Sequence, residues 1–301
     1  MTRLLREIYE SEYAVIAGHS EECRRQYRMT LKRWQEQMGH EPTLAHLDSL
    51  PVQLYVAQRK TQVKAATARK DRNQISALWS YCAKRRYVEQ FPTIPPVRAP
   101  GRIPRGYTVE DVSALLREAM RRKPPYKPTP IPPHIFMPCL IRSCWETAER
   151  IGSHMALRWR DVDTLQQVVV FQAENRKGAT RDILRPISEE LCGWINQMRQ
   201  ADDELVWPWN AHKCTLWHYF GQICNCAGVT NRGFHGLRKS AASYVALAGG
   251  AAAASQLLDH SNPATTHRHY LDETINKPKH TAVSLLPKLD LGDRPPEKPT
   301  A

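Results

Sequence analysis

With 301 residues and 42% hydrophobic content, the chain can give each of two domains a core, which excludes a disordered polypeptide. Lys and Arg outnumber Asp and Glu 43 to 30, and the formal charge of +13 favours a polyanionic partner, nucleic acid ahead of an acidic membrane surface, over an acidic small molecule. No stretch approaches ~20 apolar residues and the opening MTRLLREIYESEY lacks a signal-peptide core, so a cytoplasmic protein that does not enter a membrane is expected.

From Ser20 the apolar positions Cys23, Tyr27, Leu31, Trp34 and Met38 recur at helical spacing, with basic residues mostly between them. Pro51 suits the first turn of a second helix, and Ile75, Leu78, Trp79 and Cys82 mark the buried stripe of a third. A small helical domain over residues 1–98 follows. Its segment 59–72 carries Arg59, Lys60, Lys64, Arg69, Lys70 and Arg72, enough cations to contact several phosphates if they share a face. The stretch FPTIPPVRAPGRIPRG reads as a proline-rich, semi-rigid connection, with the linker proper at 99–107. Thr108, followed by Glu110, Asp111 and the stripe Val112, Leu115, Leu116 and Ala119, is the expected N-cap of a helix opening a second domain over 108–288.

A second proline-rich stretch, residues 122–133, is expected as a surface loop. After the apolar segment HIFMPCLIRSCW, residues 168–171 and 183–187 read as two strands around the turn NRKGAT, with Lys177 at or near the tip. Helices resume from Leu191 and run through 213–227, 235–248 and 251–259, so the fold class is mainly α with a small β-hairpin. Residues 289–301 are expected to be a disordered tail. Eight scattered cysteines without an export signal read as reduced thiols. The group His212, Cys214, His218, Cys224 and Cys226 lacks paired CxxC spacing. It reads as a helix with Trp217, Phe220 and Cys224 facing inward, and no metal site is expected.

The chemistry concentrates in FHGLRKSAASYVALAGGAAAASQLLDHSNPATTHRHY. On a helix, His235 and Arg238 share one face. The pair suits a phosphodiester, since Arg forks two hydrogen bonds onto non-bridging oxygens while His moves a proton or donates another bond.

This stretch resembles the carboxy-terminal signature of the tyrosine recombinases of the phage-integrase type, with HGLR as the HxxR box and LLDHSNPATTHRHY as the box ending in the nucleophile. Upstream, ETAERIGSHMALRWRDVD resembles the family's first arginine box and RKGATRDILRPI its β-hairpin lysine segment. The resemblance spans roughly residues 108–275 and implies a catalytic set of Arg150, Lys177, His235, Arg238, His260 and Tyr270. It implies the two-domain DNA clamp of that fold, with the first domain as the core-binding domain, and a site-specific recombinase or integrase on double-stranded DNA. In the implied reaction Tyr270 forms a 3′-phosphotyrosyl bond, Arg150 and Arg238 clamp the phosphate, Lys177 protonates the leaving oxygen, His235 accepts the tyrosine proton and His260 donates a further bond. No metal or nucleotide cofactor is implied, and a homotetramer on two DNA sites is. Segment 280–289, HTAVSLLPKL, would supply a docking helix to a neighbouring subunit.

About twenty residues precede the first expected helix, which leaves no room for an arm-binding domain and favours a simple-site enzyme. The catalytic boxes depart from the family pattern at two places. Ser153 stands where an acidic residue is usual, so that support must come from Glu149 or be absent, and Asp259 replaces the glycine before His260. A topoisomerase-like nicking-closing enzyme and a DNA-binding relative with decayed catalysis are the alternatives.

Overall fold

Residues 5–16, expected to precede the first helix, are themselves helical: α1 (Leu5–Ile8), a π turn (Tyr9–Tyr13) and α2 (Ala14–Ile16). Leu5, Ile8 and Tyr9 are fully buried, so this segment belongs to the core of the first unit. The computed structural model describes residues 3–101, 103–123, 128–260 and 262–275, and it divides into two units, Met1–Arg102 and Ile103–Ala301. The expected tail at 289–301 and the expected docking helix at 280–289 lie outside the described residues.

In the first unit, α3 (Glu21–Met38) starts at Ser20, whose hydroxyl accepts from the Cys23 amide, and ends at Gly39, whose φ of 78° supplies the left-handed cap. α4 (Ser49–Gln62) and α5 (Ala65–Lys84) complete the bundle around Trp34, Tyr55, Leu78 and Trp79. At its centre lies a carboxylate. Asp71 is fully buried, its Oδ2 accepts from Arg59 Nε at 3.0 Å, and its Oδ1 accepts from Thr30 Oγ1 at 3.0 Å and faces Lys70 Nζ at 3.3 Å.

That arrangement corrects the expectation for segment 59–72. Arg59 points inward as the partner of a buried acid, Arg72 donates to the Ile94 carbonyl, and Lys70 is shared between Asp71 and Gln26. Lys60, Lys64 and Arg69 are the exposed cations of the set. The proline-rich connection is also more anchored than composition suggests. Ile94 and Val97 are buried in the first unit, whereas Gly106 and Tyr107, placed in the linker by sequence, belong to the second.

In the second unit, α6 (Val109–Met120) opens with a capping box in which the Thr108 hydroxyl and the Asp111 carboxylate each accept from the other's amide at 3.1 Å. Pro133 falls at the first position of α7 (Pro133–Thr147), so the second proline-rich stretch ends by starting a helix. α8 (Ile151–Met155) precedes an antiparallel sheet of three strands in the order β1 (Val162–Asp163), β2 (Val168–Phe171) and β3 (Ile183–Pro186). Phe171 pairs with Ile183 and Val169 with Arg185. This is the expected hairpin with one short strand added. Then come α9 (Glu189–Asn196), α10 (Lys213–Cys226), α11 (Gly233–Leu258) and α12 (Pro263–His269).

α11 is broken at Gly250, whose φ of 82° no L side chain adopts without strain. By length and composition it is long and apolar enough to cross a membrane, which the sequence reading did not expect of any segment; it packs against α7 and carries the buried Arg238. Earlier in α11, a Cβ at Gly236 would lie 2.6 Å from the Tyr107 ring, so glycine there lets the entering chain lie against the helix. On α10 the expected inward face is correct for Phe220 and Cys224, but Trp217 is 40% exposed.

Replacing Asp71 by alanine would leave Arg59 buried without its counter-charge, a loss of about 3–5 kcal/mol. A correspondingly lower denaturant midpoint of the full chain is expected, whereas Lys60→Ala at the exposed position should leave the midpoint within about 0.5 kcal/mol of the original.

Candidate active site

Arg238 is 1% exposed and sits one helical turn after His235. Its Nη1 donates to the carbonyl of Ala148, the left-handed cap that ends α7, and its Nη2 donates to the Leu258 carbonyl at 2.9 Å. Only its Nε lacks a partner among the described residues. Arg238 thereby ties both ends of the site, the close of α7 and the close of α11, to one side chain. Of the two arginines expected to clamp a phosphate, only Arg150 has its guanidinium free of hydrogen bonds and ion pairs among the described residues. It stands at the N-cap of α8, half-exposed, at a helix end that favours anions.

Beside Arg238 lies Glu149, its side chain without solvent exposure. Its Oε1 accepts from Arg185 Nη2 at 3.0 Å and from Arg176 Nη2 at 3.3 Å, and its Oε2 lies 3.7 Å from Arg238 Nη1. Burial alone would raise its pKa, but the charges of Arg238 and Arg176 and the hydrogen bond from Arg185 outweigh it and hold the carboxyl below its ordinary value. The anionic support missing at Ser153 therefore comes from Glu149. Ser153 takes a different part, donating its hydroxyl to the Asn175 carbonyl at 3.2 Å and so holding the base of the turn that leads to Lys177.

Arg176 and Lys177 are neighbours of like charge in the hairpin turn, and the structure separates them. Arg176 is buried between Glu149 and Asp259, whereas Lys177 is exposed, makes no hydrogen bond or ion pair among the described residues, and lines a cleft of about 700 Å³. Arg150, Arg181, Asp259, His260 and Asn262 line the same cleft. Asp259 is not a loose negative charge beside it, because its two oxygens are held by Arg176 at 2.9 Å and Arg181 at 3.1 Å.

Tyr270 caps α12 and is 7% exposed. Its ring centroid lies 4.7 Å from that of His260 and 5.2 Å from that of His235, both edge-on, and 5.4 Å from Arg238 Cζ. The backbone there is pinned. Ser243 Oγ donates to the Tyr270 carbonyl at 3.3 Å and accepts from the Asp272 amide at 2.8 Å, and the buried Asp272 carboxylate accepts from the Gly106 amide at 2.8 Å. His260 Nδ1 is engaged by Thr266 Oγ1 at 2.9 Å, while His267 and His269 are exposed. Tyr244, the nearest rival tyrosine, instead accepts from the Val109 amide at the start of α6. Among the described residues no three His, Cys, Asp or Glu are grouped to hold a metal, and His212 caps α10 by accepting from the Cys214 amide.

Both histidines are pushed down to about 4. For His260 the causes are desolvation and then Arg238 and Arg150; for His235 they are desolvation and then Lys239, Arg238 and Arg150. His235 is nevertheless an exposed residue, and Lys239, Arg238 and Arg150 add to the effect of desolvation. Each ring is neutral at pH 7 and able both to accept and to donate a proton. Because these pKa values lie below the ordinary 6.5, the stability linked to them is complete above pH 6.5 and is lost progressively as the pH falls towards 4. In an NMR titration the ring carbons of both residues should therefore stay unshifted from pH 8 to 6; a midpoint near 6.5 for either would contradict the assignment.

The Phage integrase family model matches residues 108–277 of the chain. Among curated proteins no sequence matches. Among solved structures, a lambda integrase dimer bound to a COC′ core site superposes with a TM-score of 0.68 at 13% identity, covering 96% of this chain and 79% of that one. A lambda integrase tetramer bound to a Holliday junction gives 0.66 at 13% identity, covering 86% and 77%. The Tn1549 transposon integrase in complex with transposon right end DNA gives 0.65 at 14% identity, covering 94% and 97%. With a mainly helical architecture, a small antiparallel sheet and a family match over more than half its length, the chain belongs to the phage integrase family and has the fold of the tyrosine recombinases.

Proposed function

We propose that this protein cuts and rejoins double-stranded DNA as a site-specific recombinase, with Tyr270 as the nucleophile. The observation that carries the reading is the placement of Tyr270 within about 5 Å, ring to ring, of two neutral histidines and over the buried cation Arg238. A phosphodiester repels nucleophiles through its anionic oxygens, so cleavage needs positive charge fixed beforehand and proton carriers on both sides of phosphorus. Arg150 supplies an unpaired fork for the non-bridging oxygens. Arg238 supplies charge from beneath the tyrosine, with its Nε free of partners among the described residues.

In the forward step Tyr270 Oη bonds to phosphorus and the bond from phosphorus to the 5′-oxygen breaks. His235 accepts the phenolic proton, His260 donates to a phosphate oxygen and Lys177 protonates the departing 5′-oxygen. The product is a 3′-phosphotyrosyl link and a free 5′-hydroxyl. Its reversal by another 5′-hydroxyl rejoins the strand without an external energy source. Exchange between two duplexes requires several active sites together, and we propose a homotetramer, the assembly that lambda integrase forms on a Holliday junction. Of the cations in segment 59–72, the exposed Lys60, Lys64 and Arg69 are left to contact phosphates.

A DNA duplex nicked next to the scissile phosphate should trap the wild type as a covalent adduct, and Tyr270→Phe should give none. Arg150→Ala is expected to slow adduct formation by about 10²–10³-fold. Lys177→Ala should be slow on ordinary DNA yet close to wild type when sulfur replaces the bridging 5′-oxygen, since a thiolate leaves without a general acid. An equal defect on both substrates would remove Lys177 from that role. Relaxation of supercoiled DNA without exchange between two marked sites would identify a nicking-closing enzyme instead.

A further inference from the structure

Asp259 stands in the left-handed region, with φ 52° and ψ 47°, as the cap of α11. Glycine takes that conformation freely and aspartate at a small cost, so a carboxylate kept there calls for a compensating interaction. Its two oxygens reach two different arginines of one loop. Oδ2 accepts from Arg176, whose side chain is 2% exposed, and Oδ1 accepts from Arg181, which is 77% exposed. The exposed pair alone contributes little, whereas the pair with Arg176 is shielded from water and shares its guanidinium with Glu149. Arg176 and Arg181 bracket Lys177, Gly178, Ala179 and Thr180, and Gly178 turns the chain with a φ of 76°.

We propose that Asp259 is a positioning residue that latches the Lys177 loop onto the end of α11, keeping the lysine in the cleft that it lines with Arg150. This rests on the recombinase reading above. Glu149 holds the loop at its base and Asp259 holds both sides of its tip. The residue after Asp259 is His260, so one carboxylate couples two residues that line the cleft, Lys177 and His260. Because Asp259 also places a negative charge beside a surface meant for a polyanion, losing it has two effects of opposite sign. DNA binding tightens slightly through the added positive charge, and the chemical step slows because the lysine is no longer held.

Asp259→Gly and Asp259→Asn test this without threatening the fold, since both residues suit the left-handed cap. In the protein without DNA, trypsin should cut after Arg176, Lys177 or Arg181 roughly tenfold faster in either variant than in the wild type. In single turnover on the nicked duplex, adduct formation should slow roughly tenfold while the Kd for DNA is equal or lower. That defect should vanish when sulfur replaces the bridging 5′-oxygen. Unchanged proteolysis overturns the latch. Faster proteolysis with an unchanged adduct rate, or a defect that persists with sulfur, overturns its role in positioning Lys177. If the wild type forms no adduct on any substrate, the recombinase reading itself fails, and the proteolysis result still decides whether Asp259 holds the loop.

Discussion

The second unit depends on one buried negative charge. Glu149 faces Arg176 from the loop, Arg185 from β3 and Arg238 from α11, three guanidiniums that would repel one another without it. A carboxylate in so little water carries a large desolvation penalty, which close opposite charges and hydrogen bonds must offset. Here they also choose the fold. Elements that lie far apart in the chain converge on Glu149, each bringing an arginine that it neutralises, in the case of Arg176 together with Asp259. Arg185 also donates to the Leu257 carbonyl and Arg238 to the Leu258 carbonyl, so the same anion closes α11 onto the sheet.

The charge left over explains the character of the cleft. Glu149 and Asp259 face Arg176, Arg181, Arg185 and Arg238, which leaves an excess of positive charge, and Arg150 and Lys177 add to it in the cleft. Histidines in such surroundings stay neutral, which suits the proton transfers proposed for them. Desolvation first, and then the same field that would draw in a phosphate, keep these histidines neutral. His154, fully buried between the Ser143 and Thr147 hydroxyls, is pushed down to about 4 as well, chiefly by desolvation; it packs edge-on against Phe171 and lines no part of the cleft.

Much of this was legible in the sequence because local rules decide it. The Thr108 cap, the α3 stripe and the hairpin follow from spacing and turn residues, and the motif order brings Arg150, Lys177 and His260 to one cleft. What stayed hidden depends on which way a side chain faces. Arg59 looked like part of a basic surface because residue type says nothing of burial, and only the packing of α4 against α5 turns it towards Asp71. Arg176 and Lys177 are adjacent and equally charged, and the twist of one turn sends one inward and the other out. Asp259 stood out only as a departure from the glycine before His260, since a left-handed cap directs its carboxylate in a way composition does not encode. Tyr107 and Gly106 looked like linker because their partners, Arg232, Ser240 and Asp272, lie more than a hundred residues downstream.

That last connection has a bearing on how the molecule is made. The Gly106 amide meets the Asp272 carboxylate across 166 residues, and Asp272 is bonded in turn to Ser243, which holds the backbone of Tyr270. A contact of such long range forms late, after the shorter loops have closed. A growing chain therefore completes its hairpin and its first arginine box well before the tyrosine is fixed in place. Until Gly106 and Asp272 have met, the backbone of Tyr270 lacks the chain of contacts that holds it.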